Sequence, residues 1–152
     1  MTIKSVKSYC SNILQSGKCK VLPFHNFAHT KEVIDKVFLI SDAMEIQPKE
    51  AYFIAIAACF HDTGFSQTYV GHKEVSKKIA TQYMKKLNFT KTETEMVLSY
   101  IDATKMHQNP QNIYAEVHCD AHLFHLGTPK FLYRIGSCER NGNCSMGLLS
   151  PS

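Results

Sequence analysis

No apolar stretch in this chain of 152 residues reaches the ~18–20 residues that a membrane-spanning helix needs, so no membrane partner is expected. Met1 to Ser16 alternates lysines with apolar residues and lacks the continuous core of a signal peptide. The cytoplasm is therefore the expected location. No lysine and arginine run is long enough to indicate nucleic acid, although the net charge of +4 suits a phosphate-bearing ligand. No C-x-x-C pair occurs among the six cysteines, which argues against a zinc ribbon or a thioredoxin-type site. Cys10, Cys59 and Cys119 fall inside apolar periodic segments, where thiols behave as small hydrophobes, so reduced thiols are expected. Strand runs and internal repeats are missing as well.

What remains is helical. With 44% hydrophobic and 20% charged residues, the chain can bury a real core as one globular domain. Ile3, Val6, Cys10, Ile13 and Leu14 step at three and four, predicting a first helix that stops near Gly17. A second is predicted over 28–43, with Val33, Val37 and Ile40 on one stripe. Pro48 opens a third that runs into His61-Asp62. A fourth covers about 72–87 (Val75, Ile79, Tyr83), a fifth follows a cap at Thr90 or Thr92, and a sixth covers about 113–126. The predicted fold is an all-α bundle of about six helices over residues 1–134.

One stretch is in conflict with itself. In "ACFHDTG" (58–64), an apolar run from Phe53 to Phe60 ends in a histidine and an aspartate. A helix that apolar is buried, and buried ionisable groups cost several kcal/mol unless they are paired or bind a metal. A mixed imidazole and carboxylate site suits Zn, Mn, Fe or Ni, and the chain holds eight histidines to complete it. His29 falls on the same face as Val33, Val37 and Ile40, pointing inward. On the sixth helix Asp120 shares a face with Ile113, Val117, Ala121 and Phe124, and an aspartate there needs a cation. His118 and His122 are spaced i, i+4 like a helical metal clamp, but with His125 they lie 100° or more from Asp120 at about 100° per residue. Both sets cannot serve one site. The expectation is that Asp120 faces inward and the histidines mostly face solvent.

The order His29, His61-Asp62, Asp120 resembles that of the HD-domain metal-dependent phosphohydrolases. The strings "FHNFAHTKEVID" (24–35), "FHDTGFSQTYVGHKEVSKKIA" (60–80), "IDATK" (101–105) and "CDAHLFHLG" (119–127) are similar too. The resemblance implies one divalent metal ion (Mn, Fe, Ni, Zn, Co or Mg) held by His29, His61, Asp62 and Asp120. It also implies that the metal polarises a phosphoryl oxygen and activates a water. His61 and Asp62 are then the catalytic residues, with Asp62 also placed to hydrogen-bond the attacking water. Related families carry a second metal or a phosphate clamp in the interval that here holds His72 and His107; nothing in the residues supports a second metal. His72, His107 and Lys105 are the candidate substrate contacts, and Glu74 is a lesser one.

Two features depart from that family. It often has a second aspartate where this chain has His122, so the surroundings of the metal are expected to differ while Asp120 keeps the ligand role. It also continues with further helices, whereas residues 135–152, "IGSCERNGNCSMGLLSPS", have no helical period. Two readings of that tail stand. One is a flexible terminus. The other is an out-of-frame end on a truncated chain: Gly136 to Asn143 can be encoded so that a two-base shift reads Lys-Leu-Arg-Lys-Glu-Trp-Glu, a helix-forming string. Truncation would expose apolar surface and favour self-association.

The function expected from all of this is hydrolysis of a phosphate ester or anhydride, with a small nucleotide as the leading substrate. A non-catalytic metal-binding or nucleotide-sensing module is the alternative. A purely structural helical domain is a third reading.

Overall fold

From Ala51 to Phe60 the chain is apolar on every side, and a helix of that kind is stable only in an interior. The computed structural model describes residues 2–16 and 25–127, without the side chain of His125. Among these residues the fold is all-helical: α1 (Ile3–Gln15), α2 (Phe27–Ala43), α3 (Pro48–Phe60), α4 (His72–Lys86), α5 (Lys91–Ala103) and α6 (Ile113–Leu123). Central helix α3 packs against all five others. Every residue from Phe53 to Phe60 is buried. The expected helices are all present, with ends displaced by a few residues; α6 stops at Leu123 and passes into a 3-10 turn over Phe124–Gly127. The irregular tail and its two readings lie outside the described residues.

Local chemistry fixes the helix starts that matter for the site. Asn26 caps α2, its side-chain oxygen accepting from the His29 N–H at 3.0 Å. Asn112 does the same for α6 through the Ala115 N–H at 3.0 Å. Thr90 and Glu93 form a reciprocal capping box at the start of α5. Pro48 sits in the first turn of α3, where no amide donor is needed.

Beyond Asp62 the chain turns through a short 3-10 segment, Thr63–Ser66, against the start of α4. Gly64 makes this close approach possible. Its N–H donates to Ser76 Oγ at 2.8 Å. A Cβ at that position would land on the His72 carbonyl oxygen and come within 2.9 Å of the Ser76 nitrogen. Both obstacles are backbone of α4, which cannot yield without moving the helix. Gly64→Ala is therefore expected to cost about 3 kcal/mol, lowering the melting temperature by roughly 10 °C. A melting temperature unchanged to within about 2 °C would show that the turn does not pack on α4 this way.

Cys10, Cys59 and Cys119 are buried free thiols, and burial pushes Cys59 up to about 12. Among the described residues no helix is long and apolar enough to cross a membrane.

Candidate metal centre

At the C-terminal end of α3, His61 is fully buried and Asp62 is 1% exposed. His61 Nδ1 lies 2.8 Å from the Ala58 carbonyl, which can only accept, so Nδ1 carries the proton and Nε2 presents a lone pair. That Nε2 has no hydrogen-bond partner. It stands 3.2 Å from Asp62 Oδ2. Two electron-rich atoms held this close need positive charge between them. A carbonyl fixing one imidazole nitrogen so that the other can bind is the usual arrangement of a metal-ligating histidine.

His29, in the first turn of α2, brings Nε2 to 4.0 Å from Asp62 Oδ2. His122, in the last turn of α6, completes the group. The three imidazoles form a triangle, with centroids 5.6 Å apart for His29 and His61, 5.5 Å for His29 and His122, and 5.0 Å for His61 and His122. One ligand atom from each of His29, His61, Asp62 and His122 lies within 4.8 Å of the others. Tetrahedral bonds of ~2.1 Å would place ligand atoms about 3.4 Å apart, so the group fits a single ion after a small contraction. Gln108 Nε2 lies 3.4 Å from His122 Nδ1.

The carboxylate of Asp62 is crowded with donors. His25 Nδ1 donates to Oδ2 at 2.9 Å. Lys73 Nζ donates to Oδ1 at 3.1 Å and to the His61 carbonyl at 3.1 Å. Burial alone would raise the Asp62 pKa, but the Lys73 ammonium and the His25 hydrogen bond hold it well below the usual carboxylate range. Lys73 is itself buried, and burial lowers its pKa against the pull of Asp62. Burial drives His122 well below the usual histidine range, so its imidazole is neutral and able to ligate.

The structure does not bring Asp120 into this group. Asp120 is exposed, and the buried residues of α6 are Ala115, Val117, His118, Cys119 and Ala121. Ile113 and Phe124, which the sequence reading used to define the inward face, are 42% and 43% exposed. At 100° per residue Asp120 lies about 160° round the helix from His118, while His122 lies about 40° from it. The expectation that His118 and His122 face solvent is corrected with it. His118 is fully buried behind His61, ring centroids 5.7 Å apart, and donates Nδ1–H to the Tyr100 carbonyl at 2.9 Å. It stands outside the group of four, its pKa lowered by burial to about 3.

Of the three substrate candidates, only His72 reaches the cluster. Its Nε2 is 3.9 Å from Asp62 Oδ1, and its Nδ1–H is directed at the Tyr69 carbonyl, 3.1 Å away. It therefore presents a proton acceptor, and burial lowers its pKa to about 4. Phe65 is stacked between His72 and His25, at centroid distances of 3.7 and 4.0 Å. Lys105 instead bridges Glu74 at 2.6 Å and Asp102 at 2.8 Å, tying α4 to α5. Glu74 is engaged there and by Lys77 at 3.0 Å. His107 is exposed in the connection between α5 and α6, with a φ of 61°.

Sequence reasoning missed His25 and Lys73. A signal for Lys73 existed: with Ser76, Ala80 and Met84 it forms one buried stripe of α4, which the stripe through Val75, Ile79 and Tyr83 only borders. His25 lies just before the cap of α2 and has no periodicity to place it. Compared with family models, with curated proteins and with solved structures, the chain matches none.

Proposed function

We propose that this chain is a divalent-metal-dependent phosphohydrolase that cleaves a phosphate ester or anhydride, with a small nucleotide as the leading substrate. The observation that carries the reading is the convergence of His29, His61, Asp62 and His122 within 4.8 Å, in a site where His61 Nε2 is buried without a hydrogen-bond partner. The resemblance of the local strings to the HD-domain phosphohydrolases supplies the reaction class. A divalent ion at this group would polarise a phosphoryl oxygen and acidify a water.

The chain's own residues have separate tasks in that reaction. His61 offers a fixed tautomer, and Asp62 an anionic oxygen held in place by Lys73. His72 Nε2, facing Asp62 across 3.9 Å, is placed to orient the attacking water by accepting a hydrogen bond from it. His25 donates its Nδ1–H to the same carboxylate at 2.9 Å and so holds Oδ2 in place. The buried free thiols agree with a reducing, cytoplasmic setting.

A screen of nucleotides and phosphomonoesters with Mn²⁺, Co²⁺ and Mg²⁺ tests the proposal. Turnover is expected, and His61→Ala should reduce it at least about a hundredfold, the scale of losing one metal-fixing residue. Retained activity in that variant would sink the assignment. Stoichiometric metal without turnover would instead select the non-catalytic sensing module.

A further inference from the structure

Three imidazoles and one carboxylate make up the candidate ligand set, and the carboxylate is not fully available. Asp62 Oδ1 accepts from the Lys73 ammonium at 3.1 Å, so only Oδ2 faces His29 and His61. We infer that the centre selects a nitrogen-preferring transition metal, such as Zn²⁺, Co²⁺, Ni²⁺ or Fe²⁺, and discriminates against Mg²⁺, Ca²⁺ and Mn²⁺. The inference rests on the metal centre proposed above and narrows its cofactor.

The chemistry follows from ligand type and charge. Hard ions such as Mg²⁺ and Ca²⁺ gain most from several anionic oxygens and hold water reluctantly exchanged for imidazole; Zn²⁺, Ni²⁺, Co²⁺ and Fe²⁺ take imidazole readily. Here one anionic oxygen, Oδ2, faces the other ligands while also accepting from His25 Nδ1 at 2.9 Å, and the Lys73 cation beside Oδ1 offsets the carboxylate charge. A second oxygen from Asp62 is blocked by the same contact, which removes the bidentate mode that larger oxygen-seeking ions use. Lys73 is fixed in this place, because its Nζ also donates to the His61 carbonyl at 3.1 Å and its side chain is buried in α4. His122 matters equally: it adds a third imidazole nitrogen to the group and leaves Asp62 as its one carboxylate.

Competitive metal binding by the full chain, stripped with a chelator and then dialysed against metal pairs, tests this directly. Zn²⁺ is expected to bind at least about a thousandfold more tightly than Mg²⁺, and Co²⁺ to give the intense visible bands of a four- or five-coordinate nitrogen-rich site. His122→Asp, and separately Lys73→Gln, should each narrow the Zn²⁺-over-Mn²⁺ preference by about tenfold or more while metal still binds. Binding of Mg²⁺ or Mn²⁺ within about tenfold of Zn²⁺, or a preference unmoved in both variants, overturns the inference and leaves the metal centre standing. Absence of binding by every metal removes the centre and this inference together. Tight, selective metal binding without phosphohydrolysis upholds the selectivity and rejects only the activity.

Discussion

Asp62→Ala is expected to unfold the protein about 10 °C earlier and to abolish metal retention, and the two losses have different causes. Lys73 is buried with its ammonium 3.1 Å from Asp62 Oδ1. Removing the carboxylate strands that charge, and breaking one side of a buried pair costs about 3–5 kcal/mol. For a domain of this size that is a shift of roughly 10–15 °C. His25 loses its acceptor at the same time, which adds to the cost. Metal retention fails for a separate reason, the loss of the only anionic ligand of the group.

The double variant Asp62→Ala/Lys73→Met separates these effects. With no stranded ammonium, more than half of the lost stability should return, since buried pairs exchanged for apolar side chains are often neutral in stability. Metal binding should stay absent. Thermal melts of the chelated proteins, followed by metal analysis after dialysis, report both quantities. A double variant as unstable as Asp62→Ala would show that Lys73 is not held by this carboxylate.

How much of this was legible in the sequence depended on how strongly each helix polarises its residues. Helix α3 is apolar on all sides from Ala51 onward, so the interior position of its C-terminal part and the burial of His61 and Asp62 follow from composition alone. Helix α2 has a clear stripe, His29, Val33 and Val37, all buried, and that placed His29 correctly. Helix α6 has no such contrast: Ile113, Ala115, Val117, Cys119, Ala121 and Leu123 together surround most of its circumference. The face through Ile113, Val117, Ala121 and Phe124 is buried only at Val117 and Ala121; its two ends, Ile113 and Phe124, escape into solvent. The choice of Asp120 also assumed that a carboxylate has the greater need of burial with a cation. The physics runs the other way at an exposed position: an aspartate in water needs nothing, and neutral imidazoles bury at lower cost than a carboxylate does. Lys73 was hidden by a similar habit, since lysines are almost never fully buried unless paired, and its partner could be identified only in three dimensions.

His122→Ala against Asp120→Asn decides the face of α6. A metal present at about a hundred times its dissociation constant stabilises the folded state by about 2.7 kcal/mol. If loss of His122 weakens binding about a hundredfold, the same metal concentration yields only about 0.4 kcal/mol. The gap in melting temperature between metal-loaded and chelated protein should then shrink from roughly 8 °C in the parent to roughly 1 °C in His122→Ala. Asp120 is exposed and outside the group of four, so Asp120→Asn should keep the full gap and bind metal within about threefold of the parent, as surface substitutions do. Because each protein is compared with its own chelated form, a cavity left by the missing imidazole lowers both melts and cancels. The opposite result, with the gap lost in Asp120→Asn and kept in His122→Ala, would mean that α6 is turned by nearly half a revolution. In that case His29, His61 and Asp62 would take Asp120 as their fourth partner.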